Sequence, residues 1–305
     1  MKALYGTTVE LHQGLAAQAG VPELVHALPG LYVHRDAAAI DVANGLPWQL
    51  RRRHGAQIEV LEGAALRDAE PELSPRYTRG VRMGPMGYTT HPYRLTQAYA
   101  ALFTQLGGEI RRAEVRALRP WGATVRIETS VQTLDADAVI VAAGAWSAPL
   151  VRPLGLELPL IAERGYHMTF PEPGIRLRHV VSEMQGHFAV TPMEMGLRIA
   201  GTEELGLPDD PPSWRRADLL TVQLHHMFPN ANLAGGTRWM GPRPGTPDSL
   251  PAIGPLPGHA NIFIAAGHGH LGLTGAPRTA QLVAALVCAE PVDIALAPYA
   301  PGRFR

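Results

Sequence analysis

The sequence predicts a mixed α/β (α+β) protein, with a nucleotide-type sheet domain covered by a second, antiparallel sheet. Three observations predict it. Ala138-Val139-Ile140-Val141-Ala142-Ala143 is apolar at consecutive positions, which fits a strand buried on both faces of a parallel sheet. After residue 156, short apolar runs alternate with Gly/Pro turns, the pattern of an antiparallel meander. Finally, Ile262–Ala266 is an apolar strand that runs into Gly267-His268-Gly269-His270-Leu271-Gly272 and then a helix. The expected organisation is a mixed segment over 1–80 with helices at the domain interface, a sheet domain formed by 81–155 and 250–305, and an antiparallel domain over 156–249.

Residues 1–20 carry a weak helical face. Leu31-Tyr32-Val33 is a short strand after the Pro29-Gly30 turn, and Asp36–Arg53 reads as a helix broken near Gly45–Pro47. Ile58–Leu61 is extended, Leu66–Leu73 is a short helix interrupted by Pro71, and Val81–Thr90 is extended and glycine-rich. Tyr93–Leu106 is amphipathic, with Leu95, Ala98, Tyr99, Leu102 and Phe103 on one face and Gly107-Gly108 as its stop. Glu109–Leu118, Thr124–Glu128 and Val131–Leu134 are short strands. The meander is made of Gly165–Phe170, His179–Glu183, His187–Thr191 and Leu197–Thr202. Trp214–Met227 is a helix with Ser213 as N-cap, Gly241–Gly258 a Pro/Gly-rich loop, and Ala276–Ala289 the last helix.

Composition excludes several classes. Lys+Arg and Asp+Glu are both 27, so no net field favours nucleic acid. Cys288 is the only cysteine and reads as a small buried hydrophobe; no Cys cluster or His-Glu-x-x-His pattern supports a metal site. No stretch approaches the roughly 20 apolar residues of a membrane span, and the start lacks a signal-peptide core, so a cytoplasmic protein is expected.

Three stretches carry chemistry. Gly267–Gly272 has the strand, G-x-G-x-x-G, helix order of a dinucleotide fingerprint, in which glycines let a phosphate or ring approach the backbone and a helix N-terminus. A complete βαβ unit needs another parallel strand, and only fifteen residues with three prolines follow Glu290. An NAD-type unit is therefore disfavoured. In Arg238–Pro255, prolines at 242, 244 and 247 stiffen the chain around Arg243, whose planar fork of donors suits a carboxylate. Ala142-Ala143-Gly144-Ala145-Trp146-Ser147 puts a glycine at the C-terminal end of a parallel strand, where such sheets bind ligands.

Together with Arg164-Gly165-Tyr166-His167, these stretches resemble the glycine oxidase/D-amino acid dehydrogenase family of FAD-dependent amine oxidoreductases. The resemblance implies a glutathione-reductase-like FAD-binding sheet domain, FAD as cofactor, and a small amino acid, glycine-like or of D configuration, as substrate. It implies that the Cα–N bond is oxidised to an imino acid that hydrolyses to a 2-oxo acid and ammonia, with oxygen or a quinone as electron acceptor. Arg243, in an R-P-x-T-x-D motif, would bind the substrate carboxylate, with His270 and the His187-Phe188 pair nearby. Val115, Gly144, Trp146 and the run Gly267, His268, Gly269, His270, Leu271, Gly272, Leu273, Thr274 would contact FAD. The family's N-terminal βαβ unit with its own G-x-G-x-x-G has no counterpart in this sequence, so an N-terminally truncated domain is expected. The alternative is a flavin-free fragment without activity, or one that serves only as an interaction module. Peripheral membrane association and homo-oligomer formation stay open.

Overall fold

The computed structural model describes residues 2–41, 45–84 and 86–304. The expected mixed architecture is present. Its largest element is an eight-stranded sheet in the order Thr237–Gly245, Ile161–Phe170, Gly196–Gly206, Phe188–Met193, Val180–Glu183, Gly30–Val33, Arg79–Gly84, Gln57–Glu62. All neighbours are antiparallel except Val180–Glu183 and Gly30–Val33. The meander thus recruits strands from residues 30–84 into one sheet. Alternation sets its two faces. Leu31, Val33, Tyr166, Met168, Phe170, Val190, Leu197 and Ile199 share one side and form the main core with residues of the helices Gly63–Ala69 and Trp214–Met227.

A second core surrounds a three-stranded sheet, Ala252–Pro255, Ile262–Ala266 and Val139–Val141, in which the last two are parallel. Val115–Trp121, Thr124–Thr129 and Thr133–Ala136 form an antiparallel sheet beside it. The expectation that 138–143 is covered on both faces is only half met. Val141 is buried, but Ile140 is 47% exposed, because Val139–Val141 is an edge strand with a partner on one side only among the described residues.

Other differences have local causes. The expected helix over 36–53 resolves into a 3-10 turn at Ala37–Ala39 and a helix at Leu46–Arg53, with 42–44 outside the described residues. The extended run 81–90 contains two strands, Arg79–Gly84 and Gly87–Thr89, with residue 85 likewise outside them. On the helix Pro92–Gln105 only Leu95 is fully buried. Phe103 is exposed and lies over Gly108, where a Cβ would meet its ring at 2.2 Å. Ser213 holds the N-cap position but its side chain makes no capping bond; its backbone N–H donates to the Tyr166 hydroxyl at 2.8 Å. Cys288 is exposed at the end of the last helix rather than buried.

The Gly241–Gly258 segment is not a loop throughout. Thr237–Gly245 is the edge strand of the large sheet, so Pro242 and Pro244 are tolerated because an edge strand has backbone groups that face no neighbour. Arg243 is therefore placed by strand register, opposite Glu163, more firmly than a loop would place it.

Candidate active site

Arg243 stands on the face of the sheet opposite the main core. One glycine makes its berth, and a second makes room for Trp239 beside it. Gly165 and Gly241 are paired across the strands. A Cβ at Gly165 would lie 2.2 Å from Arg243 Cζ and 2.3 Å from one terminal nitrogen, and a Cβ at Gly241 would lie 2.1 Å from the Trp239 ring. The bare backbone thus lets the guanidinium and the indole lie flat on the sheet. His167 stacks on Trp239, with ring centroids 4.7 Å apart and planes at 15°. Burial, with Arg198 and Arg243 nearby, pushes the His167 imidazole down to about 4. Arg243 Nη1 donates to Glu203 Oε2 at 3.1 Å. On the core face, Arg164 and Tyr166 both meet Glu204, and Arg164 donates to the carbonyls of Asp210 and Pro211, tying the strand to the start of the helix at Trp214.

The Asp of the R-P-x-T-x-D motif supports this edge. Asp248 receives Arg303 Nε at 2.8 Å and Nη2 at 3.0 Å, which holds its carboxyl down at about 2. Thr246 Oγ1 donates to the Leu250 carbonyl at 2.8 Å. The turn after the strand is thereby fixed from both sides.

Facing Arg243 is the glycine-rich segment. The last helix starts at Gly272, earlier than periodicity suggested, so Gly272, Leu273 and Thr274 form its first turn and their N–H groups have no intrahelical acceptor. Gly267 and Gly269 take φ of 83° and 53°, which glycine adopts without strain. At Gly267 a Cβ would also strike Thr246 Cγ2 at 2.7 Å. His268 Nε2 lies 3.0 Å from Thr279 Oγ1, and burial pushes its imidazole down to about 4. Pro277 sits inside this helix and has no N–H to give Leu273, four residues earlier. His12 takes over: its Nε2 is 2.8 Å from the Leu273 carbonyl, and its Nδ1 is 2.9 Å from the Tyr99 hydroxyl. A buried histidine from the first helices thus clamps the turn that opens the glycine-rich helix. Burial lowers its pKa, which favours the neutral ring donating from Nε2.

Between segment and sheet lies a cavity of about 550 Å³, lined by Arg198, Trp239, Arg243, His270, Gly272 and Thr274 among others. It adjoins a second cavity of about 530 Å³ that shares Pro244 and Gly272 and contains Gly144 and His268. That one shares Ile140 and Ala142 with a third, of about 960 Å³, lined by Val115 and Trp146. The predicted cofactor residues other than Gly267 and Leu271 therefore line one run of adjoining cavities from Val115 to the sheet. An elongated dinucleotide fits such a run, with unblocked backbone at Gly144, Gly269 and Gly272 along it.

The structure brings Arg243 and His270 to one cavity with Gly269, Gly272, Leu273 and Thr274. Gly267, His268 and Leu271 line a smaller cavity of about 250 Å³ that also contains Gly269 and His270. It does not bring in the His187-Phe188 pair. Phe188 is 4% exposed in the main core, and His187 occupies the preceding turn with φ of 53°. Thr191, three residues on and on the other face of that strand, lines the cavity. Sequence reading missed Arg198 and His12. Arg198 alternates with Leu197 and Ile199, so its mid-strand position on the non-core face was the available signal.

A family model described as FAD dependent oxidoreductase (DAO) matches residues 1–286. The chain belongs to this family. A D-amino-acid oxidase of Bradyrhizobium diazoefficiens is 36% identical over 299 residues, covering 96% of this chain and 70% of the relative. A glycine oxidase of Pseudomonas putida is 30% identical over 302 residues, covering 97% and 80%. The crystal structure of glycine oxidase from Geobacillus kaustophilus superposes with a TM-score of 0.86 at 25% identity, covering 98% of this chain and 81% of that one. The protein is thus an FAD-dependent oxidoreductase of the D-amino-acid oxidase and glycine oxidase type. Among the described residues no helix is long and apolar enough to cross a membrane.

Proposed function

We propose that the protein oxidises the Cα–N bond of a small amino acid, glycine-like or of D configuration, to an imino acid that hydrolyses to a 2-oxo acid and ammonia. The observation that carries this reading is the placement of Arg243, a guanidinium seated on the bare backbone of Gly165 and lining one cavity with the first turn of the glycine-rich helix. When bound, FAD would supply the two-electron acceptor for the hydride that leaves the substrate Cα. The remaining work belongs to the chain. Arg243 has five N–H donors, of which Glu203 takes one, and the rest of the fork is available to a carboxylate. Fixing the carboxylate fixes the Cα–H direction, and such positioning is worth several orders of magnitude in rate. His167 stays neutral near pH 7 and so adds no charge beside Arg243. The first-turn N–H groups at Gly272–Thr274 and the positive helix end favour negative charge on the group they face. The amine reacts with its lone pair free, so it is deprotonated before the Cα–H bond breaks.

The names of the relatives support oxygen as the electron acceptor. The test is to reconstitute the purified protein with FAD and assay hydrogen peroxide and 2-oxo acid with glycine and with D- and L-amino acids. Equimolar peroxide and oxo acid support the reading, and flavin uptake without turnover of any amino acid refutes it.

A further inference from the structure

Among the described residues lining the cavity, Arg198 is the one charged side chain without a partner. It projects from the strand Gly196–Gly206, opposite Thr191 on one neighbour and Thr169 on the other, on the same face as Arg243 and His167. Its Nε is buried without a hydrogen-bond acceptor, and among the described residues no carboxylate pairs with it. Arg243 does have such a partner in Glu203. Among the described residues no Asp or Glu lines the cavity itself; Glu163 and Glu203 line the smaller one beside it. The guanidiniums repel each other, and burial with that repulsion lowers the pKa of Arg198, although a guanidinium keeps its proton. A buried, unpaired guanidinium is costly to a fold and persists where a ligand supplies the counter-charge.

Local pairing narrows the ligand. The acidic groups lie on the Arg243 side: Glu203 is its ion-pair partner and Glu163 stands opposite it in register, whereas Arg198 stands between Thr191 and Thr169. An amino acid whose one carboxylate is held by Arg243 leaves Arg198 unpaired. A second carboxylate on the same substrate pairs it as well. We infer that the substrate is a dicarboxylic amino acid or imino diacid, whose reacting carboxylate is bound by Arg243 and whose distal carboxylate is bound by Arg198. This rests on the oxidation reading above and names its substrate class.

The test compares the FAD-reconstituted enzyme with Arg198→Gln and Arg198→Lys. Each is assayed with D-glutamate, D-aspartate and iminodiacetate against D-alanine and D-norvaline, and each is titrated with glutarate and butyrate in thermal-shift and inhibition assays. The wild type is expected to favour a diacid substrate and to bind glutarate at least about tenfold more tightly than butyrate, the size of one charge-assisted contact. Arg198→Gln is expected to lower the diacid-to-monoacid ratio of kcat/KM by about tenfold or more, mainly through KM, with Arg198→Lys between the two. Three results overturn the inference: no diacid preference in the wild type, an equal loss for both substrate classes in Arg198→Gln, or loss of flavin on that substitution, which would assign Arg198 to the cofactor. The two readings fail separately. Monoacid turnover with no glutarate advantage leaves the oxidation reading standing and removes this one. Preferential glutarate binding that Arg198→Gln abolishes, with no amino acid oxidised, removes the oxidation reading and leaves Arg198 only as the site of a second carboxylate.

Discussion

Gly165→Ala is a small change with a large expected effect. Gly165 lies in a strand without a positive φ, so alanine is allowed there, and the three atoms nearest the new methyl all belong to the end of the Arg243 side chain. The distances are 2.2 Å to Cζ and 2.3 and 2.4 Å to the two terminal nitrogens. A normal contact of about 3.5 Å requires the guanidinium to move by more than about 1 Å. The side chain is flexible, so the arginine yields and the sheet stays. The bidentate geometry toward a carboxylate is then lost, at a cost of about 1.5–3 kcal/mol, which is a fall in kcat/KM of about 10- to 150-fold. The assay is steady-state kinetics on the best amino-acid substrate, with thermal unfolding as control for the fold. Repeating the substitution in an Arg243→Ala background sharpens it, because the methyl should then cost almost nothing. Wild-type kinetics in Gly165→Ala, or equal losses in both backgrounds, would refute the reasoning.

Other outcomes follow from the same contacts. Arg243→Lys should raise KM and Arg243→Ala should raise it further, by a factor equivalent to about 2–4 kcal/mol for the lost charge-assisted pair; an unchanged KM in both would remove Arg243 from substrate binding. Gly272→Val should abolish flavin retention while the fold survives, because a Cβ there meets nothing nearer than His268 Cβ at 3.7 Å; stoichiometric flavin in the variant would make the segment a simple turn. His12→Phe leaves the Leu273 carbonyl without its donor and should cost about 1–3 kcal/mol of stability and loosen flavin binding together, read as a lower melting temperature with and without FAD. His268 has a depressed pKa of about 4 in the fold, so the unfolded chain binds its proton first as pH falls. Stability from this site is intact above about pH 6.5 and declines toward pH 4, by up to about 3 kcal/mol. His268→Gln should flatten that part of the stability-pH curve, and an unchanged slope would show that the ring is accessible.

Much of the fold was legible because it rests on local signals. The helix at Trp214–Met227 and the meander strands follow from apolar periodicity, and the glycines at 267, 269 and 272 mark a segment where backbone must stay bare. What was not legible depends on pairing. Pro242 and Pro244 read as a loop because nothing local says that their strand lies at a sheet edge. The His187-Phe188 pair was expected in the site, and a strand places alternate residues on opposite faces; Phe188 fell on the core side and Thr191 on the cavity side. Arg198 reads as an ordinary strand arginine until Arg243, 45 residues later, is brought beside it. His12 and Leu273 meet only because Pro277 frees a carbonyl that a helix would otherwise use.

Anaerobic mixing of the FAD-reconstituted protein with amino acid tests the central claim most directly, because it reads the transfer of electrons from substrate to flavin in a single turnover. Loss of the oxidised flavin absorbance on mixing, saturable in amino acid and slowed at subsaturating substrate by Arg243→Ala, is the predicted result. Stoichiometrically bound flavin that stays oxidised with glycine and with every D- and L-amino acid and imino diacid tried would contradict it.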